Sequence, residues 1–338
     1  MNLPYDRSSA RDWAKDALRG VFNVIIASYT ADLADINEAG IRHDVRLQTE
    51  HSFAGFLAVS ETALTIDEYI RFLDCSVSEA EGRQLVIHHA SFNTLEENIE
   101  VANRAARAGA QLTLLSYPPS FYPRSEDDIY AYTRSFCDRV DMPVLLFPVP
   151  LWGFERIHPA SMSIDLIERL IDDCETVVAV KAEGGHPSIG GFTEVWNRLH
   201  ERVVVNMPLE HQAIPLATIL PLQYIGTSNT EYFGDAVPRM MQMARAGQLD
   251  EAMRLFWQVD PARRANGRIG AIGGANTVHR TAWKYQAWLN GYNGGPLRMP
   301  APRLLSDQMQ MLRQGLVASG LPVTESADAE FFVGRHPR

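Results

Sequence analysis

Short apolar runs alternate along this chain with amphipathic stretches that carry polar residues on one face. Eight runs read as strands: Val21–Ser28, Phe53–Val59, Leu85–His89, Leu112–Ser116, Val144–Phe147, Thr176–Lys181, Val203–Asn206 and Tyr224–Gly226. They are near-continuous rather than alternating in hydrophobicity, as in parallel strands buried on both faces. Helical patterns lie between them. Thr94–Ala108 has Asn93 as a candidate N-cap, Glu96 and Glu97 in its first turn, and Gly109 beyond its end. Ser125–Val140 opens with Glu126-Asp127-Asp128, where carboxylates suit the helix dipole. Ser163–Asp173, Phe192–Leu199 and Ala236–Ala246 are similar, and Gly247 stops the last. Eight βα units predict an α/β fold, a (β/α)8 TIM barrel rather than an open doubly wound sheet.

Three more helical stretches follow, Leu249–Ala265, Ala275–Leu289 and Leu304–Ala318, with a break at Gly294-Gly295-Pro296. The chain therefore divides into an N-terminal extension (1–19), the barrel (20–247), a C-terminal helical extension packed on the barrel (248–321) and a tail (322–338). The tail has little periodicity and is expected to order, if at all, at an oligomer contact.

Composition narrows the function classes. The 338 residues are 46% hydrophobic and 21% charged, which suits a globular protein with a sizeable core. The formal net charge of −10 gives no electrostatic footprint for nucleic acid or an anionic membrane. Cys75, Cys137 and Cys174 are odd in number, widely spaced and outside any CxxC, which argues for a reducing compartment without a disulfide framework or zinc site. The first 19 residues carry charges and no apolar core, so no secretory signal is read there, and no window reaches the length of a membrane span. A cytoplasmic protein is expected.

The chemistry centres on Lys181. It ends the run Thr176-Val177-Val178-Ala179-Val180 and is followed by Ala182-Glu183-Gly184-Gly185. Desolvation at the mouth of a buried strand disfavours a charged amine and lowers its pKa. Such a lysine is a candidate to attack a carbonyl and form a Schiff base. The alternative is a strand-end lysine that snorkels into water.

The order of landmarks resembles the dihydrodipicolinate synthase and N-acetylneuraminate lyase family of class I, Schiff-base-forming aldolases. Asn93-Thr94-Leu95-Glu96-Glu97-Asn98-Ile99 leads into Ala105–Ala110 as in the family's third helix, and Tyr117-Pro118-Pro119-Ser120-Phe121-Tyr122 stands at its aromatic segment. Pro143–Pro150 stands at its strand-five motif, Val180–Gly184 at its lysine motif, and Gly294-Gly295-Pro296-Leu297-Arg298-Met299-Pro300 at its C-terminal G-G-P-x-R-x-P. The resemblance covers residues 18 to 320. It implies that Lys181 is the Schiff-base lysine, that a 2-oxo acid such as pyruvate is the substrate, and that no cofactor or metal is needed. It also implies a homo-oligomer, a dimer or a tetramer of paired dimers.

Three departures qualify that resemblance. The family's proton-relaying strand-five tyrosine is here Phe147, which has no hydroxyl. The synthases' arginine for a second substrate carboxylate is here Trp152, and the G-T-T-G-E loop that holds the pyruvyl carboxylate has become Ala58-Val59-Ser60-Glu61. The residues do not support dihydrodipicolinate synthase itself. The second substrate is expected to be less anionic and more aromatic.

Another group must then move protons at the C-terminal ends of the strands. His88 and His89 end the third strand, and only one can face the barrel axis; His89 is the candidate. Glu183 shares the side of Lys181 if strand geometry continues. Ser60 and Glu61 are candidates for substrate binding, as are Glu210 and His211 after strand seven and Tyr117 after strand four, although the family's equivalent of that tyrosine segment often acts across a subunit interface. Phe147 and Trp152 would contact substrate. Glu231 reads as a first-turn helix residue and His279 as a surface residue of an outer helix. The ten histidines show no HExxH spacing.

The resulting expectation is a lyase of aldolase type. Lys181 condenses with the keto group, Ser60 and nearby backbone N–H groups hold the carboxylate, and His89 or Glu183 relays the proton. Two alternatives stay open: a hydro-lyase or hydratase-aldolase for a bulky 2-oxo acid, and a non-catalytic ligand-binding barrel.

Overall fold

The structure is a computed structural model that describes residues 4–182, 189–273 and 278–337. Eight strands, β1 (Gly20–Ile26), β2 (Gly55–Val59), β3 (Leu85–Ala90), β4 (Leu112–Leu115), β5 (Val144–Leu146), β6 (Val177–Lys181), β7 (Val204–Asn206) and β8 (Tyr224–Ile225), form one parallel sheet in the order β7-β6-β5-β4-β3-β2-β1-β8. β7 and β8 lie side by side and nearly close the ring. A helix follows each strand, so the fold is a (β/α)8 barrel with added C-terminal helices. Among the described residues no helix is long and apolar enough to cross a membrane.

Strand alternation sorts side chains into two layers. On β1, Phe22, Val24 and Ile26 fill the barrel interior with Leu57, Val59, Ile87, Leu114, Leu145 and Val178. Val21, Ile25 and Ala27 face the surrounding helices. The sequence strands fall on the observed ones within two residues at each end. The helix after β3 spans Leu95–Ala108, and its cap is Thr94 rather than Asn93: the Thr94 hydroxyl accepts from Glu97 N at 3.1 Å. The stretch expected as one helix over 249–265 is two, Leu249–Gln258 and Asp260–Gly273. Pro261 has no N–H to donate and disfavours helical geometry at Asp260, so it starts a new helix instead of continuing the old one.

Both ends of the barrel are covered by the chain itself. The N-terminal helix Ala10–Ala17 inserts Ala10 and Ala14, with Leu18, into the interior cluster. Arg11 donates to the carbonyls of Val177 and Cys174 at 3.1 and 3.0 Å, and Gln223 Nε2 to those of Lys15 and Leu18 at 2.9 and 2.8 Å. This stopper closes the N-terminal end, away from Lys181. At the other end the helix Arg280–Leu289 crosses the mouth, and its buried Lys284 donates to the Ala27 carbonyl at 2.8 Å.

The tail corrects the expectation that only an oligomer contact would order it. Phe331 is fully buried against Tyr285 and Trp288, and Arg335 donates to the carbonyls of Trp288 and Tyr292. The glycine-rich motif before it is structural. Gly294 adopts φ +72° with a would-be Cβ 2.6 Å from the Trp288 ring, and Arg298 clamps both Glu68 oxygens at 2.8 and 2.7 Å. Glu68 in turn closes the capping box of the helix Ile66–Ala80 with Thr65.

Candidate active site

Lys181 is the last residue of β6 and faces the barrel interior, 4% exposed. Its Nζ lies 3.7 Å from the centroid of the Phe147 ring, which projects inward just past the end of β5. Both line a cavity of about 450 Å3 at the C-terminal face of the strands, where barrel active sites lie. Lys181 is the register partner of Asn206 on β7, so the two side chains share the inner face. Asn206 is fully buried, and neither its Oδ1 nor its Nδ2 finds a partner among the described residues. Thr227 Oγ1 and Asn229 Nδ2, on the cavity wall beyond β8, are in the same condition. Buried polar groups are normally satisfied, so this rim marks a place built to meet polar atoms. The turn that carries it depends on Gly226, at φ +130°, where a Cβ would sit 2.1 Å from the Phe22 carbonyl oxygen.

His89 faces the same cavity from β3, while His88 points outward, stacked on Phe92. The hydroxyl of Tyr69, from the helix Ile66–Ala80, accepts from His89 N at 2.9 Å and contacts His88 Nδ1 at 3.0 Å, pinning the end of the strand. His89 Nδ1 accepts from the Ser60 backbone N–H at 3.4 Å and meets Ser60 Oγ at 3.3 Å; its Nε2 meets Ser116 Oγ at 3.0 Å. A backbone N–H can only donate, so Nδ1 is the acceptor and the neutral ring carries its proton on Nε2. Burial, with the charges of Arg280 and Lys181 against that of Glu61, holds His89 at about 4; burial holds His88 at about 3.

Glu61 follows β2 at the cavity edge. Its Oε1 accepts from Ser91 Oγ at 2.7 Å and lies 3.9 Å from His89 Nε2, and its Oε2 accepts from Arg280 Nη2 at 2.6 Å. Burial would raise this carboxyl, but the charges of His89 and Arg280 and these hydrogen bonds hold it down at about 2. Arg280 begins the helix that crosses the mouth, its guanidinium 4.8 Å over the Trp283 ring. His279 caps that helix, Nδ1 accepting from Ala282 N at 3.1 Å, and lines the cavity; it is not the surface residue of an outer helix that its position suggested.

Of the residues singled out in the sequence, Lys181, His89, Glu61, Phe147, Trp152, Glu210 and His211 line this one cavity. Ser60 lies behind it, tied to His89. Glu210 is taken up by Arg263, which grips both of its oxygens at 2.6 and 3.2 Å and also binds Asp260 at 2.9 Å. That makes it a structural anion. Tyr117 lies off the cavity: its hydroxyl bonds Thr133 Oγ1 at 2.6 Å and its ring packs behind Trp152 and against Phe154. Trp152 donates from Nε1 to the Phe147 carbonyl at 2.6 Å, which fixes both rings at right angles. Glu183 lies outside the described residues. Glu231 is buried beside Asn23 rather than on the cavity, its carboxyl pushed up to about 8 by burial. Reasoning from the sequence missed Arg280, Trp283, Asn206, Thr227 and Asn229. A strand-register argument from Lys181 points to Asn206; no local pattern points to Arg280.

Residues 17–263 match the sequence profile described as the dihydrodipicolinate synthetase family. An uncharacterized DapA-like lyase of Pyrobaculum neutrophilum is 24% identical over 306 residues, covering 88% of this chain and 98% of that protein. The 4-hydroxy-tetrahydrodipicolinate synthase of Methanopyrus kandleri is 23% identical over 310 residues, covering 90% and 97%. Among solved structures, dihydrodipicolinate synthase from Aquifex aeolicus aligns with a TM-score of 0.76 at 18% identity, over 91% of this chain and 100% of that one. N-acetylneuraminate lyase from Fusobacterium nucleatum aligns with a TM-score of 0.73 at 16% identity, over 89% and 98%. At such identities the structures speak to the fold, while the profile spans the barrel and the start of the C-terminal helices. The chain belongs to the dihydrodipicolinate synthetase family.

Proposed function

We propose that this family member is a lyase of aldolase type that forms a Schiff base through Lys181 with a 2-oxo acid, pyruvate or a pyruvyl-containing substrate. The observation that carries the proposal is the buried Lys181 at the C-terminal end of β6, on the wall of a cavity of about 450 Å3. That volume lies within the range of small-molecule sites. Phe147 and Trp152 line the space rather than fill it, which supports an enzyme over a non-catalytic barrel.

In this reading the amine attacks C2 of the oxo acid, and loss of water leaves a protonated imine. When the C3–C4 bond breaks, its electron pair enters the imine to give an enamine, and a base takes the proton of the C4 hydroxyl. Protonation at C3 and hydrolysis return the lysine. The Phe147 ring face attracts a cation, so it favours the iminium over the neutral imine. It supplies no proton. The proton step falls to His89 with the Ser60 and Ser116 hydroxyls on its two nitrogens. A substrate carboxylate adds negative charge near His89 and raises its pKa toward the working range.

The aromatic wall of Phe147, Trp152, Tyr232 and Trp283 favours a bulky, apolar second half of the substrate. That specific observation keeps the second reading, a hydro-lyase or hydratase-aldolase on a bulky 2-oxo acid. Product analysis with a panel of 2-oxo acids and their 4-hydroxy adducts separates the two. Release of an aldehyde indicates carbon–carbon cleavage, and release of water alone indicates the hydro-lyase. A Lys181→Ala protein that keeps full activity would overturn both.

A further inference from the structure

We propose that Arg280, presented from the helix crossing the barrel mouth and steadied by Glu61, is the specificity-determining residue that takes the carboxylate of the 2-oxo acid bound at Lys181. The inference rests on the Schiff-base reading above and assigns a recognition role within it.

Ser60 was the sequence candidate for this task. Its N–H and hydroxyl are instead turned to His89, and it lies behind the cavity wall. Arg280 does line the cavity, with a side chain only 13% exposed. Its guanidinium carries five N–H donors, and the contact with Glu61 uses one of them. Trp283 beneath the plane and Glu61 at one edge fix the orientation of that fork before any ligand arrives. Preorganised, weakly hydrated and partly buried, such a guanidinium suits a carboxylate better than an exposed lysine would.

The other arginine that lines the cavity is already engaged: Arg263 binds both oxygens of Glu210 and also Asp260. Arg280 gives one donor to Glu61 and faces the same cavity as Lys181.

The test compares borohydride trapping of pyruvate and of pyruvamide, its neutral isostere, in the wild-type protein and in Arg280→Gln and Arg280→Lys. For Arg280→Gln the pyruvate concentration giving half-maximal Lys181 adduct is expected to rise about 10- to 100-fold, the loss typical of a charge-assisted contact. Pyruvamide trapping is expected to stay within about twofold, a change too small to reflect a lost contact of that kind. Arg280→Lys keeps the charge and is expected to fall between. Equal losses for the two ligands in both variants would show a structural role for Arg280, and no loss would place the carboxylate elsewhere; either overturns the inference while the Schiff base stands. A wild-type protein that traps neither ligand overturns the Schiff-base reading itself, and this inference with it.

Discussion

Lys181 Nζ rests 3.7 Å above the centre of the Phe147 ring, so the amine faces an aromatic surface where the family's sequence motif carries a phenol. The contact changes what the residue can do. A phenol exchanges protons; a benzene face can only favour positive charge beside it. Phe147→Leu removes that face while keeping an apolar side chain. The rate of iminium formation, followed by single-turnover trapping, is expected to fall about 3- to 30-fold, the span of a partly desolvated cation–π contact. An unchanged rate would show that the ring is only packing.

His89 is held by Ser60 and Ser116 and by the Tyr69 hydroxyl on its own backbone N–H. His89→Gln keeps polar contacts but cannot shuttle a proton. Turnover is expected to fall by about 100-fold or more, the usual worth of general acid–base catalysis. Lys181 should still be trapped by pyruvate in that variant, which separates proton relay from imine formation. A variant with full turnover would remove His89 from the mechanism.

The two adjacent histidines also make stability depend on acid. Their folded values, about 3 for His88 and about 4 for His89, lie below the ordinary histidine value of 6.5. The unfolded chain therefore binds more protons as pH falls below 6.5, and stability declines toward pH 3. Above 6.5 neither residue contributes a pH dependence. Urea unfolding between pH 7.5 and 4.5 is expected to show this slope, and His88→Asn to reduce it. A flat profile would mean that the histidines are hydrated in solution.

Glu210 was a candidate substrate contact in the sequence, and the structure makes it the partner of Arg263. Glu210→Ala leaves a mostly buried guanidinium without that carboxylate, a change that typically costs about 3–5 kcal/mol. The expected signature is a lower denaturation midpoint, with the half-saturating pyruvate concentration nearly unchanged at temperatures where the fold persists. A stable variant with weakened pyruvate trapping would return Glu210 to the binding site.

At the far end of the barrel, Leu18 is fully buried in the interior cluster. Leu18→Ala is expected to cost about 2–5 kcal/mol through the cavity it leaves. Turnover by the folded fraction should not change, because this stopper lies away from Lys181. Loss of turnover without loss of stability would tie the N-terminal helix to the active site.

The barrel was legible because each strand is a short apolar run whose register follows from burial on both faces. Lys181 and His89 could be placed for the same reason: each sits at a strand end, where alternation decides which way a side chain points. The N-terminal stopper was obscured by its charges. With Asp12, Lys15 and Asp16 in it, the segment reads only as a charged N-terminal extension, although Ala10, Ala14 and Leu18 mark a buried stripe. Arg280 was out of reach of local pattern. It comes to Glu61 from 219 residues away, by the path of a helix over the barrel mouth. Tyr117 went astray because an aromatic at a strand end suits a substrate wall and a helix-packing layer equally well, and only its bond to Thr133 distinguishes them.

Imine chemistry at Lys181 is tested by borohydride reduction of the protein with pyruvate followed by peptide mass spectrometry. A reduced pyruvyl adduct is expected on the peptide containing Lys181, absent in Lys181→Ala and absent without borohydride. No adduct with pyruvate or larger 2-oxo acids, or an adduct only on other lysines, would rule out a Schiff base at Lys181.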